Sequence, residues 1–199
     1  MSDVSPPTRD RLADAALATF ARKGYESTRV EDVCQSAGIA RATFYRHFSG
    51  KEDVLMALVD QLVVELDRMA ADLDPVTADA AGLASLRGLV VANLAIAERW
   101  APIVPVLSLP GGGSSPARDR TIASVTAASR RIGEAFEAGG AGASDPFIAA
   151  LGITGLTDGF GHQVRTWDLA LDRETVTDSL TALAFRMLHP EARLPVAQS

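Results

Sequence analysis

Arg41, Tyr45, Arg46 and His47 fall within seven consecutive residues, inside the run Gly38-Ile39-Ala40-Arg41-Ala42-Thr43-Phe44-Tyr45-Arg46-His47-Phe48. Read as a turn followed by a helix, this run has two faces. Phe44 and Phe48 are spaced i,i+4 and share one side, where they can anchor the helix in a small core. Arg41 pairs with Tyr45, and Ala42 with Arg46, at the same spacing, so an adjacent arc is polar. Guanidinium, phenol and imidazole groups on an exposed arc suit phosphate and base-edge contacts better than catalysis. Local packing or helix capping is the plainer reading of Tyr45 and His47. Upstream, a second helical pattern ends at Ala37-Gly38. Two helices joined by a tight glycine-containing turn are the helix-turn-helix signature.

Other residues that could do chemistry offer less. Cys34 sits on the inner face of a helix, where a small core residue is expected rather than a redox sensor. Asp158 and His162 are i,i+4 and could hydrogen-bond a ligand, but two ligands make a poor metal site, so no metal is expected. The Gly111 to Ser115 run lacks the Lys-Ser/Thr ending of a phosphate loop and reads as a linker. No Gly-x-Ser-x-Gly, His-Glu-x-x-His or paired-cysteine motif is present, and no cofactor is expected.

The run from Thr28 through Gly38-Ile39-Ala40-Arg41-Ala42-Thr43-Phe44-Tyr45-Arg46-His47-Phe48 to Lys51-Glu52 resembles the DNA-binding domain of the TetR family of bacterial transcriptional repressors. The resemblance covers about the first quarter of the chain; the rest is similar only in length and helical layout. It implies that Arg41, Ala42, Thr43 and Tyr45 meet bases or adjoining phosphates, and that Arg46, His47 and Lys51 meet phosphates. Thr28 and Arg29 open the second helix, whose backbone N–H groups can also bind phosphate. Arg41 is the best candidate for base reading, because guanidinium pairs bidentately with guanine. Family members often carry a basic residue where this chain has Glu31, which bears on operator preference. The resemblance further implies a homodimer through the last two helices, a palindromic double-stranded DNA operator, and release by a small-molecule effector.

Those residues need elements to hold them. A helix is expected from Thr8 to about Lys23, with Leu12, Ala16, Leu17 and Phe20 buried and an Arg22-Lys23-Gly24 ending. A short helix from Arg29 or Val30 to Ala37 buries Val30, Val33 and Cys34. Ser49-Gly50-Lys51-Glu52 reads as a capping box opening a long helix to about Leu73, the natural lever between an effector site and the DNA. An almost wholly apolar, buried helix over 77–99 follows, then a short piece limited by Pro102 and Pro105. A helix to Ala138 turns Ile122, Val125, Ile132 and Phe136 inward. The last two helices, Pro146 to Trp167 and Arg173 to Leu188, carry the stripes Leu156/Phe160/Val164/Trp167 and Val176/Leu180/Leu183/Met187. Gly152, Gly155 and Gly159 suggest close helix packing. The fold class is therefore all-α: a three-helix helix-turn-helix domain over 1–50 and a larger helical ligand-binding and dimerisation domain over 51–199. Trp100, Phe136, Phe147, Phe160, His162 and Trp167 are candidate lining residues for a small, largely apolar effector.

Composition sets the outer bounds. The 199 residues are 47% hydrophobic and 22% charged, which is globular and not disordered. A single cysteine excludes an internal disulfide and fits a reducing cytosol. Met1 to Arg11 is polar, and the longest near-apolar run, Gly88 to Ala97, is too short to span a bilayer. A cytoplasmic protein with no membrane partner is expected. Net charge is −6, yet residues 1–51 carry +2 and the remainder −8. A mildly basic head on an acidic body can dock one end on a polyanion. The alternative is a small all-α enzyme with a buried apolar substrate pocket, using Asp158 and His162 as its acid–base couple. It leaves the Arg41/Tyr45 arc unexplained.

Overall fold

Alanine and leucine at helical spacing, punctuated by glycine and proline, give nine helices and no strand among the described residues. In the computed structural model these are residues 8–108 and 115–195. The N-terminal arm, the glycine linker up to Ser114 and the last four residues lie outside them. The helices are α1 (Thr8–Lys23), α2 (Val30–Ala37), α3 (Arg41–Tyr45), α4 (Lys51–Ala71), α5 (Ala80–Trp100), α6 (Val104–Ser108), α7 (Pro116–Ala138), α8 (Pro146–Thr166) and α9 (Arg173–Leu188). The chain forms two compact units, one of Met1–Val63 with Trp100–Ile122, the other of Val64–Arg99 with Ala123–Ser199.

In the first unit, α1 packs on α2 and α2 on α3. Leu12, Ala16 and Phe20 from α1, Val33 and Cys34 from α2, Phe44 and Phe48, and Leu55, Leu58 and Leu62 from α4 are all buried. Burying each large side chain contributes about 1.5–3 kcal/mol. Two details of α3 and α4 differ from the sequence reading. The α3 helix stops at Tyr45, with 46–47 in a turn. The carboxylate that closes the α4 cap is Asp53, not Glu52: its Oδ2 accepts the Ser49 N–H at 2.9 Å and lies 3.3 Å from the Ser49 hydroxyl. Glu52 is instead hydrogen-bonded to Tyr25. Two adjacent carboxylates compete for one cap, and Tyr25 takes the other.

In the second unit, Val90, Leu94 and Leu180 form a buried cluster against which Phe160 and Val176 pack. Gly133 lets the start of α8 approach α7: a Cβ there would lie 2.8 Å from the Pro146 carbonyl. Several buried polar groups find partners, whereas the Ser124 hydroxyl is buried without one among the described residues. Asn93 donates to the Thr154 carbonyl at 3.1 Å and to Asp158 Oδ1 at 3.0 Å. The His189 ring donates through Nε2 to the Val76 carbonyl at 2.8 Å, which fixes its tautomer. Thr154, Thr157, Thr177 and Thr181 each donate to the carbonyl four residues back, so hydroxyls sit in helix interfaces without needing a partner helix.

Two expectations about helix faces, on α5 and α7, are corrected. α5 is long and apolar enough by composition to cross a membrane, because alanine and glycine extend the apolar run on both sides of the Gly88–Ala97 stretch. It is nevertheless amphipathic in this chain. Leu86, Leu89, Val90 and Leu94 are buried, while Val91 is exposed and Arg87 and Glu98 pair with Asp178 and Arg173. On α7, Ile122 is exposed, and Ser124, Ala128, Ile132 and Phe136 form the inner face. On α8, the inner face is Ala150, Ile153 and Thr157. Leu156 and Trp167 from the expected stripe are exposed, as are Leu183 and Met187 of α9.

Candidate nucleic-acid interface

The interface begins with how α2 is stopped. Gly38 takes φ +66°, a conformation that costs glycine nothing. The Ile39 N–H then reaches the Cys34 carbonyl at 3.0 Å and the Gly38 N–H the Gln35 carbonyl at 3.2 Å. This is a Schellman cap, and it turns the chain into α3. Phe44 and Phe48 are 0% and 1% exposed with ring centroids 5.8 Å apart, so the inner side of α3 is nailed to the core. The other side is then necessarily outward: Arg41, Ala42, Tyr45 and Arg46 are exposed, and Thr43 and His47 half-buried.

Arg41 is held without being hidden. One Nη lies 2.7 Å from Glu31 Oε1, and the guanidinium carbon is 5.9 Å from the Tyr45 ring centroid. A hydrogen bond to Tyr45 and the Glu31 charge keep Arg41 more firmly protonated than an ordinary arginine. Arg29 precedes the first turn of α2, and its own N–H is accepted by Asp32 at 2.9 Å. Asp32 also accepts from Lys23, and those two bonds, Lys23 first, hold its carboxyl below the ordinary aspartate range.

Two residues of the expected DNA-contacting set, Thr28 and Lys51, direct their side chains to the α1–α2 connector. The Thr28 hydroxyl is buried and donates to the Gly24 carbonyl at 2.7 Å. Lys51 Nζ donates to the Tyr25 carbonyl at 2.9 Å and sits 4.2 Å from the Tyr25 ring centroid. Both tie down the α1–α2 connector. Burial, then Glu52, then Glu26, push the Tyr25 phenol well above its ordinary range, so it stays neutral and donates to Glu52. Burial likewise raises the Cys34 thiol, which suits core packing and not redox chemistry.

Arg9 was not expected here. From α1 its guanidinium lies 4.3 Å from the Phe48 ring centroid, donates to the His47 carbonyl at 2.6 Å and stands 3.9 Å from Asp53. It clamps the end of α3 to the start of α4. The contact spans 38 residues of sequence, so no local pattern signals it.

The six candidate effector-lining residues differ in burial. Trp100 lies in the first unit and the others in the second. Trp100 and Phe136 are fully buried, Phe147 is half-buried beneath Arg130, Phe160 packs on the Leu180 cluster, His162 is exposed near Thr166, and Trp167 is 64% exposed. The second unit instead has a cleft of about 440 Å³ between the end of α4 and α5. Met69, Leu73, Leu89 and Ile96 give it an apolar floor, and Glu65, Arg68, Asp72 and Asp74 a charged rim. The sequence signal for it is the small-residue row Ala84, Gly88 and Ala92, spaced four apart, which leaves the groove empty.

Residues 12–58 match the family described as bacterial regulatory proteins, tetR family. The HTH-type transcriptional regulator UidR of Escherichia coli strain K12 is 34% identical over 61 residues, 31% of this chain and 31% of its own. The chain thus spans about three-tenths of the length of the curated relatives it matches. Solved structures extend the likeness in fold to nearly the whole chain. The regulator FadR from Bacillus subtilis, in complex with stearoyl-CoA, has a TM-score of 0.70 at 20% identity, covering 90% of this chain and 99% of that one. AibR, in complex with isovaleryl coenzyme A and operator DNA, has a TM-score of 0.68 at 18% identity, covering 90% and 98%.

Proposed function

We propose, from the match of residues 12–58 to the tetR family of bacterial regulatory proteins, that the chain is a ligand-responsive repressor that binds a palindromic operator as a homodimer. The observation that carries this reading is the Arg41/Tyr45 arc. It is exposed on a helix whose opposite side is fixed by Phe44 and Phe48, and whose entry is set by the Gly38 cap. A face so rigidly presented, with one guanidinium and one phenol outward, is what major-groove reading needs. Arg29, Arg46 and His47 would add phosphate contacts, while Thr28 and Lys51 would act chiefly by holding the connector. The reading portion is residues 1–50, and 51–199 would bind effector and dimerise.

The dimer would form through α8 and α9. Ile148, Leu151, Leu156, Leu183 and Met187 are exposed there. Among the described residues, nothing beyond the helix's own adjoining backbone lies within 4 Å of a Cβ built on Gly152, Gly155 or Gly159, so the room they leave suits a second copy. The effector would be a small molecule with a largely apolar body. FadR and AibR carry acyl-CoA thioesters, and an acyl chain has such a body. The α4–α5 cleft, with three carboxylates against Arg68, complements coenzyme A phosphates poorly. Binding would bias α4, whose first part belongs to the DNA-binding unit and whose end to the other. Only a ligand with different affinity for the two states can do this.

The test is a selection from a random duplex pool with purified protein, repeated at two salt concentrations. An enriched inverted repeat whose binding weakens with salt is expected. Well-folded protein that enriches no sequence would sink the reading. Acyl-CoA, free fatty acid and uncharged amphiphile panels, scored by release from the enriched duplex, then sort the effector class.

A further inference from the structure

Glu31 is an acidic side chain placed against the reading arc. It sits in the first turn of α2, Arg41 opens α3, and both are more than half exposed while lying 2.7 Å apart. An ion pair so exposed adds little to fold stability, so its effect is felt where Arg41 works. We propose that Glu31 is a specificity-determining residue of the DNA interface, acting by buttressing Arg41. This rests on the reading of α3 as the groove-entering helix.

Guanidinium offers five N–H donors. Glu31 takes one nitrogen and Tyr45 hydrogen-bonds the group from one turn on. Enough donors remain for a two-point contact with guanine O6 and N7. Held this way, the fork points to one base edge and does not search. The carboxylate also penalises mistakes. If Arg41 swings to a phosphate, Glu31 is left beside the polyanion without its counter-charge, and that register is repelled. Discrimination by a repulsive element complements discrimination by contact. The pair also neutralises a cation that would otherwise strengthen binding to any sequence.

The experiment uses full-length protein, the duplex enriched from the random pool, and a scrambled duplex of the same composition. E31Q keeps the shape and removes the charge, and Glu31's exposure leaves folding unaffected, as a thermal melt checks. E31Q is expected to tighten scrambled-duplex binding about fivefold at low salt and to steepen its salt slope by about one per protomer. It is expected to reduce the preference for guanine at the Arg41-read position roughly tenfold. E31D, which keeps the charge, is expected to restore most of that preference. In an R41A background, E31Q is expected to change the preference no further. If R41A loses the guanine preference but E31Q retains it within twofold, the buttress is refuted while the reading face stands. If R41A itself retains the preference, the placement of the reading face fails, and the role of Glu31 with it.

Discussion

The two ends of this chain spend their side chains differently. In the head, polar groups near the interface are held by partners: Arg9 on His47, Asp32 on Arg29 and Lys23, Asp53 on Ser49, Lys51 on Tyr25. The outward arc is small and charged. In α8 and α9, hydroxyls satisfy their own helices, while Leu156, Leu183, Met187 and Trp167 stand exposed. The head closes its polar groups within one copy, whereas α8 and α9 leave large apolar side chains exposed. A polar network that closes on itself fixes geometry for reading; an apolar face that does not close asks for a partner.

That contrast can be broken by mutation. The largest effect is expected from Phe44→Ala, which empties a fully buried site. A loss of about 3–5 kcal/mol should melt the head, abolish operator binding and leave most helical signal from the second unit, readable by circular dichroism. Cooperative loss of all helix would show that the units do not differ in the way described. Next, Leu183→Glu with Met187→Glu should dissociate the proposed dimer. Light scattering should report a monomer, and operator affinity should fall by at least about 100-fold, because a two-fold interface counts each change twice. A dimer that persists moves the interface elsewhere.

Smaller effects sharpen the division inside the head. Tyr45→Ala should weaken operator binding about tenfold, or roughly 1–2 kcal/mol, with the melting temperature unchanged. Lys51→Met should do the reverse: cost about 1 kcal/mol of stability through lost charge-assisted bonding, read as a lower melting temperature, and leave the salt slope of DNA binding nearly intact. A flatter slope with an unchanged melt would make Lys51 a phosphate contact. The smallest effect is a pH dependence. Tyr25 holds its proton more tightly folded than unfolded, so its contribution is complete below the ordinary phenol range. It is lost as pH rises above about 10. Melts in that alkaline window should fall for the parent and fall less for Tyr25→Phe.

Much of the head was legible because its determinants are near in sequence. The spacing of Phe44 and Phe48, the glycine stop at Gly38 and the cationic end of α1 each act within about a turn of themselves. Asp53 replaced Glu52 at the cap because the choice depended on Tyr25, which lies in another element. Arg9 was illegible for the same reason. In the body, Trp100 and Phe136 are fully buried. The cleft exists where side chains are small, at Ala84, Gly88 and Ala92. Amphipathic periodicity gave the number and length of the helices, but not which apolar stripe is covered within one copy. Ile122, Leu156 and Met187 look no different in sequence from Ile132, Ile153 and Leu188.

Asn93 has one more consequence. Its amide nitrogen uses both hydrogens on α8, one on the Thr154 backbone and one on Asp158. Sliding α8 along α5 by a turn would strand a buried amide, at about 1–3 kcal/mol. Pivoting about that point strands nothing. The amide therefore works as a pin in a hinge: it forbids translation of α8 on α5 and leaves rotation as the motion through which a filled cleft could be felt across the second unit.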